Sequence, residues 1–149
     1  MNILISRCLL GEPCRYDGQS KPVPAVEELR RAGHTLIPVC PEVLGGLPTP
    51  RPPAECQPDG RVVNRAGMDV TGAYLAGARA ALELARMNRC EVAILKAKSP
   101  SCGSSQVYDG SFSRTLVPGQ GTAARLLREA GIRVLDETQL DQLGSCPER

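Results

Sequence analysis

The feature that most constrains the fold is a repeated alternation of short apolar runs with helical segments. Runs rich in Val, Ile and Leu occupy residues 2–6, 35–39, 92–95 and 133–135. Parallel strands that are buried on both faces have this composition, and helices connect them. The pattern predicts an α/β fold: a single Rossmann-like three-layer domain with a short, mostly parallel sheet of about four strands.

The segments between these runs predict the helices. Helical patterns lie at 24–32, 71–89, 122–130 and 138–143, and Gly33 and Gly131 follow two of them as C-terminal stop signals. We expect the one domain to span residues 1–149, with a loose tail at about 144–149.

Two long segments contain neither a strand pattern nor a helical period. They cover residues 41–69 and 97–120 and are rich in Gly and Pro, with Arg in the first and Ser in the second. Loops longer than about 12–15 residues are normally functional or disordered, so we expect two active-site loops here. The turn sequence Gln57-Pro58-Asp59-Gly60 predicts a small hairpin inside the first loop.

Charge and length exclude several classes of protein. The 149 residues carry a formal net charge of +2. Such a small excess of positive charge does not favour electrostatic binding to nucleic acid or to an anionic membrane. No apolar run of about 18 residues occurs, and Arg7 interrupts the N-terminal run after three apolar positions. We therefore expect a cytoplasmic protein, a monomer or weak oligomer, whose partner is a small molecule.

Seven cysteines in a chain without an export signal need an explanation. In a reducing compartment, cysteines more often bind metals or catalyse reactions than form disulfides. The bland alternative is that a free cysteine serves as a small buried apolar residue. We expect that alternative for Cys90 at a helix–strand junction, while Cys56 lies in the predicted hairpin loop and Cys146 in the tail.

Three of the cysteines follow three of the predicted strands. Cys8 lies two residues past the first strand, Cys40 comes directly after the second, and Cys102 lies in the loop that leaves the third. The carboxyl ends of parallel strands meet at one edge of a sheet, where ligands bind. Three thiolates suit zinc or an iron–sulfur cluster and leave one metal position open for chemistry. Unrelated core cysteines remain the alternative, and Cys14 is a candidate substitute ligand or nucleophile.

Other functions remain open at this point. Residues 119–124 match G-x-G-x-x-A before a helix, but a dinucleotide fingerprint belongs after the first strand. A structural or regulatory metal- or cluster-binding module is a non-enzyme alternative. A sulfurtransferase that carries a persulfide on Cys14 or Cys102 is a third.

An ordered set of motifs then identifies a resemblance that extends from residue 2 to about 135. The motifs include Cys8-Leu9-Leu10-Gly11, Cys14-Arg15-Tyr16-Asp17-Gly18, Cys40-Pro41-Glu42, Pro50-Arg51, Asp69-Val70-Thr71, Ser99-Pro100-Ser101-Cys102-Gly103 and Tyr108-Asp109-Gly110. In this order they resemble the thiouracil desulfidase family.

The resemblance implies an oxygen-sensitive enzyme with a 4Fe–4S cluster held by three cysteines, here Cys8, Cys40 and Cys102. The fourth iron would stay open for the substrate sulfur, and thiouracil would yield uracil and hydrogen sulfide without electron transfer. Glu42 and Ser99 match the family's catalytic residues, with Ser101 as a further catalytic candidate. We expect four residues of these motifs to line the substrate pocket: Arg15, Tyr16, Asp17 and Arg51. A salt bridge within the loop is an equal alternative for Arg51.

Overall fold

A four-stranded parallel sheet forms the centre of the protein in a computed structural model, which describes residues 1–144. The strands are β1 (Asn2–Ser6), β2 (Thr35–Val39), β5 (Val92–Leu95) and β8 (Arg133–Asp136). They pair side by side in the order β2-β1-β5-β8, all parallel. The four predicted strands and the parallel α/β architecture are confirmed.

Helices cover both faces of this sheet. Their bounds are α1 (Pro24–Arg31), α2 (Pro41–Leu44), α3 (Thr71–Met87), α4 (Thr122–Glu129) and α5 (Leu140–Gly144), with a short 3-10 helix at Arg7–Leu10. Helix α3 ends two residues before the predicted position, because the chain turns there and Arg89 takes a left-handed conformation with φ 53°. The predicted loose tail and Cys146 lie outside the described residues, apart from Gly144.

Alternating side chains of the strands build one core on each face of the sheet. Ile3 and Ile5 of β1 pack with Val26 of α1 on one face. Leu4 of β1 packs with residues of α3 and α4 on the other, among them Ala81 and Leu127. Aliphatic residues and alanines fill both cores, and the resulting three layers are those that the strand pattern predicts.

Both long loops contain a two-stranded antiparallel hairpin. The first hairpin pairs β3 (Ala54–Cys56) with β4 (Val62–Asn64) around the predicted turn at 57–60. The second pairs β6 (Gln106–Tyr108) with β7 (Leu116–Pro118), and the sequence did not predict it. Strands of three residues are too short for an apolar–polar alternation to be recognised, and α2 is likewise shorter than a helical period needs.

Helix α2 packs backbone to backbone against α3. A Cβ atom on Gly77 would lie 1.9 Å from the Pro41 carbonyl oxygen, and one on Gly45 would lie 2.0 Å from the Ala73 oxygen. Only glycine at both positions permits this approach. The contact fixes α2 against the long helix, and with it Cys40 at the N-terminus of α2 and Glu42 in its first turn.

In the part of the chain that the structure describes, no helix is both long and apolar enough to cross a membrane.

Candidate functional site

A cavity of about 440 Å³ opens at the carboxyl ends of the central strands. The chain leaves β1 toward β2 on one side and later returns to β5 on the other, so the strand order reverses between β1 and β5. Open α/β sheets bind ligands at such a reversal, and a cavity of this size is typical of small-molecule sites.

Four cysteines line this cavity: Cys8, Cys14, Cys40 and Cys102. All four are buried and free. Cys8 lies in the 3-10 helix after β1, Cys40 precedes α2 after β2, and Cys102 lies in the loop after β5. The predicted convergence of three strand-end cysteines on one cavity is therefore present, with Cys14 beside them.

The Cys14 thiol interacts with those of Cys8 and Cys40. Its hydrogen bond with Cys40 lowers the pKa of Cys14, but the contact with Cys8 and burial outweigh this, so the pKa is raised. The contact with Cys14 and burial also raise the pKa of Cys40. Cys40 Sγ is 3.8 Å from the Cys14 carbonyl oxygen. Crowded, buried thiols of this kind favour either protons or a bound metal.

A hydrogen bond from a serine hydroxyl connects Cys102 to the end of β1. Ser6 Oγ lies 3.5 Å from Cys102 Sγ and accepts the Lys96 N–H at 2.9 Å, so its hydrogen is available to the sulfur. Burial raises the pKa of Cys102 to about 12 against the opposing effect of this hydrogen bond. Hydrogen bonds to ligand sulfurs are one means by which proteins tune iron–sulfur clusters.

The spacing of the thiols bears on what they can hold. Within residues 1–144, no three His, Cys, Asp or Glu side chains are grouped closely enough to bind one metal ion. Zinc requires such a group, with sulfurs about 2.3 Å from the ion. A 4Fe–4S cluster takes each thiolate on a different iron atom, so its ligands stand further apart. Four soft thiols line this cavity, and thiolates are the ligands that hold iron–sulfur clusters.

The carboxylate of Glu42 lines the same cavity, and one of its two oxygens already accepts two hydrogen bonds. Its Oε1 atom accepts hydrogen bonds from Arg51 Nε and from the Tyr74 hydroxyl, both at 2.9 Å. The Arg51 and Glu42 side chains are only 5% and 14% exposed, so solvent screens this ion pair weakly. The other oxygen, Oε2, lies 3.3 Å from Ser99 Oγ.

Ser99 connects Glu42 to the loop that carries Cys102. Its Oγ accepts the backbone N–H groups of Ser101 and Cys102, each at 3.1 Å. With both N–H groups accepted, its hydroxyl hydrogen is free to be donated to Glu42 Oε2. The carboxylate on α2 and the thiol after β5 are thereby held in one hydrogen-bonded unit.

All the aromatic side chains of the protein line this cavity. The chain has three Tyr, one Phe and no Trp. Tyr16, Tyr74, Tyr108 and Phe112 come from three separate segments, the last two from the second hairpin, and all four line this cavity. Both apolar cores are built without an aromatic ring. Such a distribution favours a site for a planar ligand, because aromatic rings offer stacking surfaces.

Basic side chains outnumber carboxylates around the cavity. Seven basic residues line it beside the carboxylates of Glu42 and Glu55: Arg7, Arg15, Arg51, Arg65, Lys96, Lys98 and Arg114. Four of these side chains are already paired with carboxylates: Arg7 with Glu12, Arg15 with Asp17, Arg51 with Glu42 and Lys96 with Glu137. The remaining positive charge favours negative charge that develops on a departing sulfur.

The structure separates the sequence-predicted site residues into two groups. Cys8, Cys40, Cys102, Glu42, Ser99, Arg15, Tyr16 and Arg51 line the cavity, whereas Asp17 and Ser101 do not. The Asp17 carboxylate accepts the Gln19 N–H in a surface turn. Ser101 is completely buried, and its hydroxyl has no hydrogen-bond partner among residues 1–144.

The G-x-G-x-x-A segment has a structural role. The N–H groups of Gly121, Thr122 and Ala123 donate to the carbonyl oxygens of Gly103, Pro100 and Ser101. The N-terminus of α4 thus binds the Cys102 loop and has no free amides for a dinucleotide phosphate.

Sequence reasoning missed Tyr74, Phe112 and Arg65 in the cavity wall. Tyr74 lies within a regular helical pattern, and Phe112 and Arg65 lie in loops without periodicity. The scarcity of aromatic residues could have indicated Tyr74 and Phe112. Where the cores contain no aromatic rings, the few rings in the sequence are candidates for ligand contacts.

Comparisons with known proteins agree with this geometry. The family model described as 2-thiouracil desulfurase matches residues 3–139. The solved structure of the [4Fe-4S]-dependent thiouracil desulfidase TudS is 46% identical, covers 96% of this chain and 95% of its own, and superposes with a TM-score of 0.90. The uncharacterized protein YbbK of Bacillus subtilis strain 168 is 39% identical over 95% of this chain and 99% of its own length.

Proposed function

The chain belongs to the 2-thiouracil desulfurase family, and we propose on that premise that it is a 4Fe–4S-dependent enzyme that converts thiouracil into uracil. The reaction consumes one water and releases hydrogen sulfide, so atoms balance and neither an oxidant nor a reductant is required. The similarity to a desulfidase that depends on this cluster supports the proposal along almost the whole chain.

The observation that carries the proposal is the presence of soft thiols and a held carboxylate in one cavity. Cys8, Cys40 and Cys102 would hold the cluster, because they alone follow the three adjacent strands at whose ends the cavity lies. Cys14 would remain a neighbour and not a ligand. Three thiolates for four irons would leave one iron open for the substrate sulfur.

When bound, the cluster supplies a Lewis-acidic iron for the thiocarbonyl sulfur of the substrate. Glu42 takes a proton from the attacking water on Oε2 and returns it to the departing sulfur, as general base and then general acid. Oε2 is the reactive oxygen because Oε1 already accepts two hydrogen bonds.

Three side chains position this carboxylate. Arg51 donates to Glu42 Oε1, to the Pro48 carbonyl oxygen, to Thr49 Oγ1 and to the Cys14 carbonyl oxygen. A guanidinium with so many partners is committed to the protein and orients Glu42 instead of binding substrate. Tyr74 supplies the second bond to Oε1, and Ser99 directs Oε2 toward the cavity.

The substrate is a small molecule, a thiolated uracil or its nucleoside, and neither nucleic acid nor membrane takes part. Tyr16 and Arg15 line the mouth of the cavity and would contact it. We place the enzyme in the cytoplasm, where reducing conditions keep thiols available for iron. The six described cysteines are all free, as such a compartment requires.

The direct test is sulfide release by protein that is purified and reconstituted with iron and sulfide without oxygen. We expect 2-thiouracil or 4-thiouracil to yield uracil and sulfide in equal amounts. Failure to release sulfide from any thiolated base or nucleoside would overturn the proposal.

The same experiment distinguishes the alternatives, which the family and the similar structure do not favour. A structural zinc module would contain zinc without sulfide and would not turn over. A sulfurtransferase would form a persulfide on Cys14 or Cys102 from a sulfane-sulfur donor such as thiosulfate, with sulfite as the leaving group, and mass spectrometry of the acid-quenched protein detects that persulfide.

A further inference from the structure

Phe112 is the one phenylalanine of the chain and lines the cavity. It lies in the loop of the β6–β7 hairpin and is only half-buried. An apolar ring that fills neither core and stands on a cavity wall provides a surface on which a planar ligand can stack.

The loop holds this ring in an uncommon backbone conformation. Phe112 and Arg114 have φ values of 57° and 61°, in the left-handed region that bulky residues rarely occupy. Strain of this kind persists only where the surroundings enforce it, and it concentrates at ligand-binding sites.

The buried Glu55 of the first hairpin enforces the conformation. Its Oε1 atom accepts the Gly110 N–H at 2.9 Å and the Phe112 N–H at 3.1 Å. Gln57 of the same hairpin donates to the Gly110 carbonyl oxygen at 3.1 Å. A Cβ on Gly110 would lie 2.9 Å from the Cys56 oxygen, so the two hairpins are in close backbone contact.

Arg65 covers one face of the Phe112 ring. Its guanidinium carbon lies 5.6 Å from the ring centroid, within the range of a cation–π contact. Glu55, Arg65 and Phe112 therefore form a unit, called here the Phe112 clamp. Glu55 holds the backbone of Phe112 by a hydrogen bond, and Arg65 covers one face of its ring.

We propose that Phe112 is a specificity-determining residue that stacks on the pyrimidine ring of the substrate, and that Glu55 is its positioning residue. This deepens the proposed function and rests on it, because it assigns ring recognition to the hairpins and sulfur chemistry to the strand ends. The ring face that Arg65 leaves uncovered receives the substrate.

The test compares binding with turnover in Phe112→Ala. We expect KM for 2-thiouracil to rise about tenfold or more, the usual effect of removing a stacking ring, while kcat stays within about twofold. Phe112→Tyr keeps a ring and restores KM. Phe112→Leu keeps apolar bulk without a planar face, so it folds like the wild type and shows the raised KM.

A second measurement separates this inference from the proposed function. Uracil contains the ring without the reacting sulfur, and its Kd is measured by calorimetry on the reconstituted protein. We expect Phe112→Ala to weaken uracil binding by the same factor as thiouracil. If the wild type releases no sulfide, the proposed function fails, and the uracil titration alone then decides the role of Phe112.

Glu55→Ala and Arg61→Ala form a matched pair on the first hairpin. Arg61 pairs with Asp59 and does not line the cavity, so its variant should match the wild type. Glu55→Ala should raise KM as Phe112→Ala does, and Glu55→Gln should recover it because an amide oxygen still accepts N–H groups. The proposal is overturned if Phe112→Ala leaves KM and the uracil Kd within twofold of the wild type, or if the wild type does not bind uracil.

Discussion

The two walls of the cavity are built in different ways. The strand-end wall carries Cys8, Cys40 and Cys102 on short segments that leave a buried parallel sheet. The hairpin wall carries Arg65, Phe112 and their neighbours on two small antiparallel hairpins. Rigid elements hold reacting groups in place more accurately than loops do, whereas loops vary with the ligand. We assign sulfur chemistry to the strand-end wall and ring recognition to the hairpin wall.

The largest expected effect comes from removing a thiol of the strand-end wall. Cys102→Ala should abolish cluster binding and with it sulfide release, since an iron loses its ligand. Iron analysis and visible absorption check the cluster.

Cys90→Ala is the matched control. Cys90 is also buried, but it lies outside the cavity lining, at the turn before β5. If this variant loses its cluster and Cys102→Ala retains it, the division between the two walls is wrong.

Glu42→Gln should leave the cluster in place and reduce kcat by about 10²–10⁴, the usual contribution of a general base. The amide can still accept hydrogen bonds from Arg51 and Tyr74, so the wall keeps its shape. Anaerobic steady-state kinetics beside an iron count measure both quantities. An unchanged kcat would remove the carboxylate from the mechanism.

Gly77→Ala tests whether the α2–α3 contact positions the strand-end wall. The added methyl group would overlap the Pro41 oxygen, so α2 must move and carry Cys40 and Glu42 with it. We expect the free energy of unfolding to fall by about 1–3 kcal/mol and kcat to fall as well.

Gly72→Ala lies on the same helix with no atom within 4 Å of the new methyl group. Its stability should stay within about 1 kcal/mol of the wild type, with unchanged activity. Equal thermal unfolding curves for the two variants would show that the close approach has no structural importance.

Tyr74→Phe removes one of the two donors to Glu42 Oε1 and should produce the smallest change in kcat. A hydrogen bond to a charged group contributes about 1.5–3 kcal/mol, so kcat should fall by about 10- to 150-fold while KM changes little. A rise in KM with constant kcat would instead place Tyr74 with Phe112 in ring recognition.

Much of the strand-end wall could be predicted from the sequence. Buried strands have an apolar composition that reveals them, and the rule for parallel sheets then places Cys8, Cys40 and Cys102 at one edge. The roles of Glu42 and Ser99 came from the family resemblance, because composition alone does not distinguish a catalytic carboxylate from a surface one.

The hairpin wall could not be predicted in the same way. Strands β6 and β7 have three residues each, and their packing against the first hairpin depends on long-range contacts such as Glu55 with Phe112. For Arg51 the sequence left substrate binding and a loop salt bridge open, and the structure contains the salt bridge, with Glu42, Thr49 and two backbone oxygens occupying its donors. Tyr74 was counted only as part of its helix.

The most direct test of the central claim is an anaerobic crystal structure of the reconstituted protein, measured at the iron absorption edge. We expect anomalous iron density in the cavity. The sulfurs of Cys8, Cys40 and Cys102 should bind three irons, and a fourth iron should have no protein ligand. Iron bound by Cys14 in place of one of these three, or iron density outside the cavity, would contradict it.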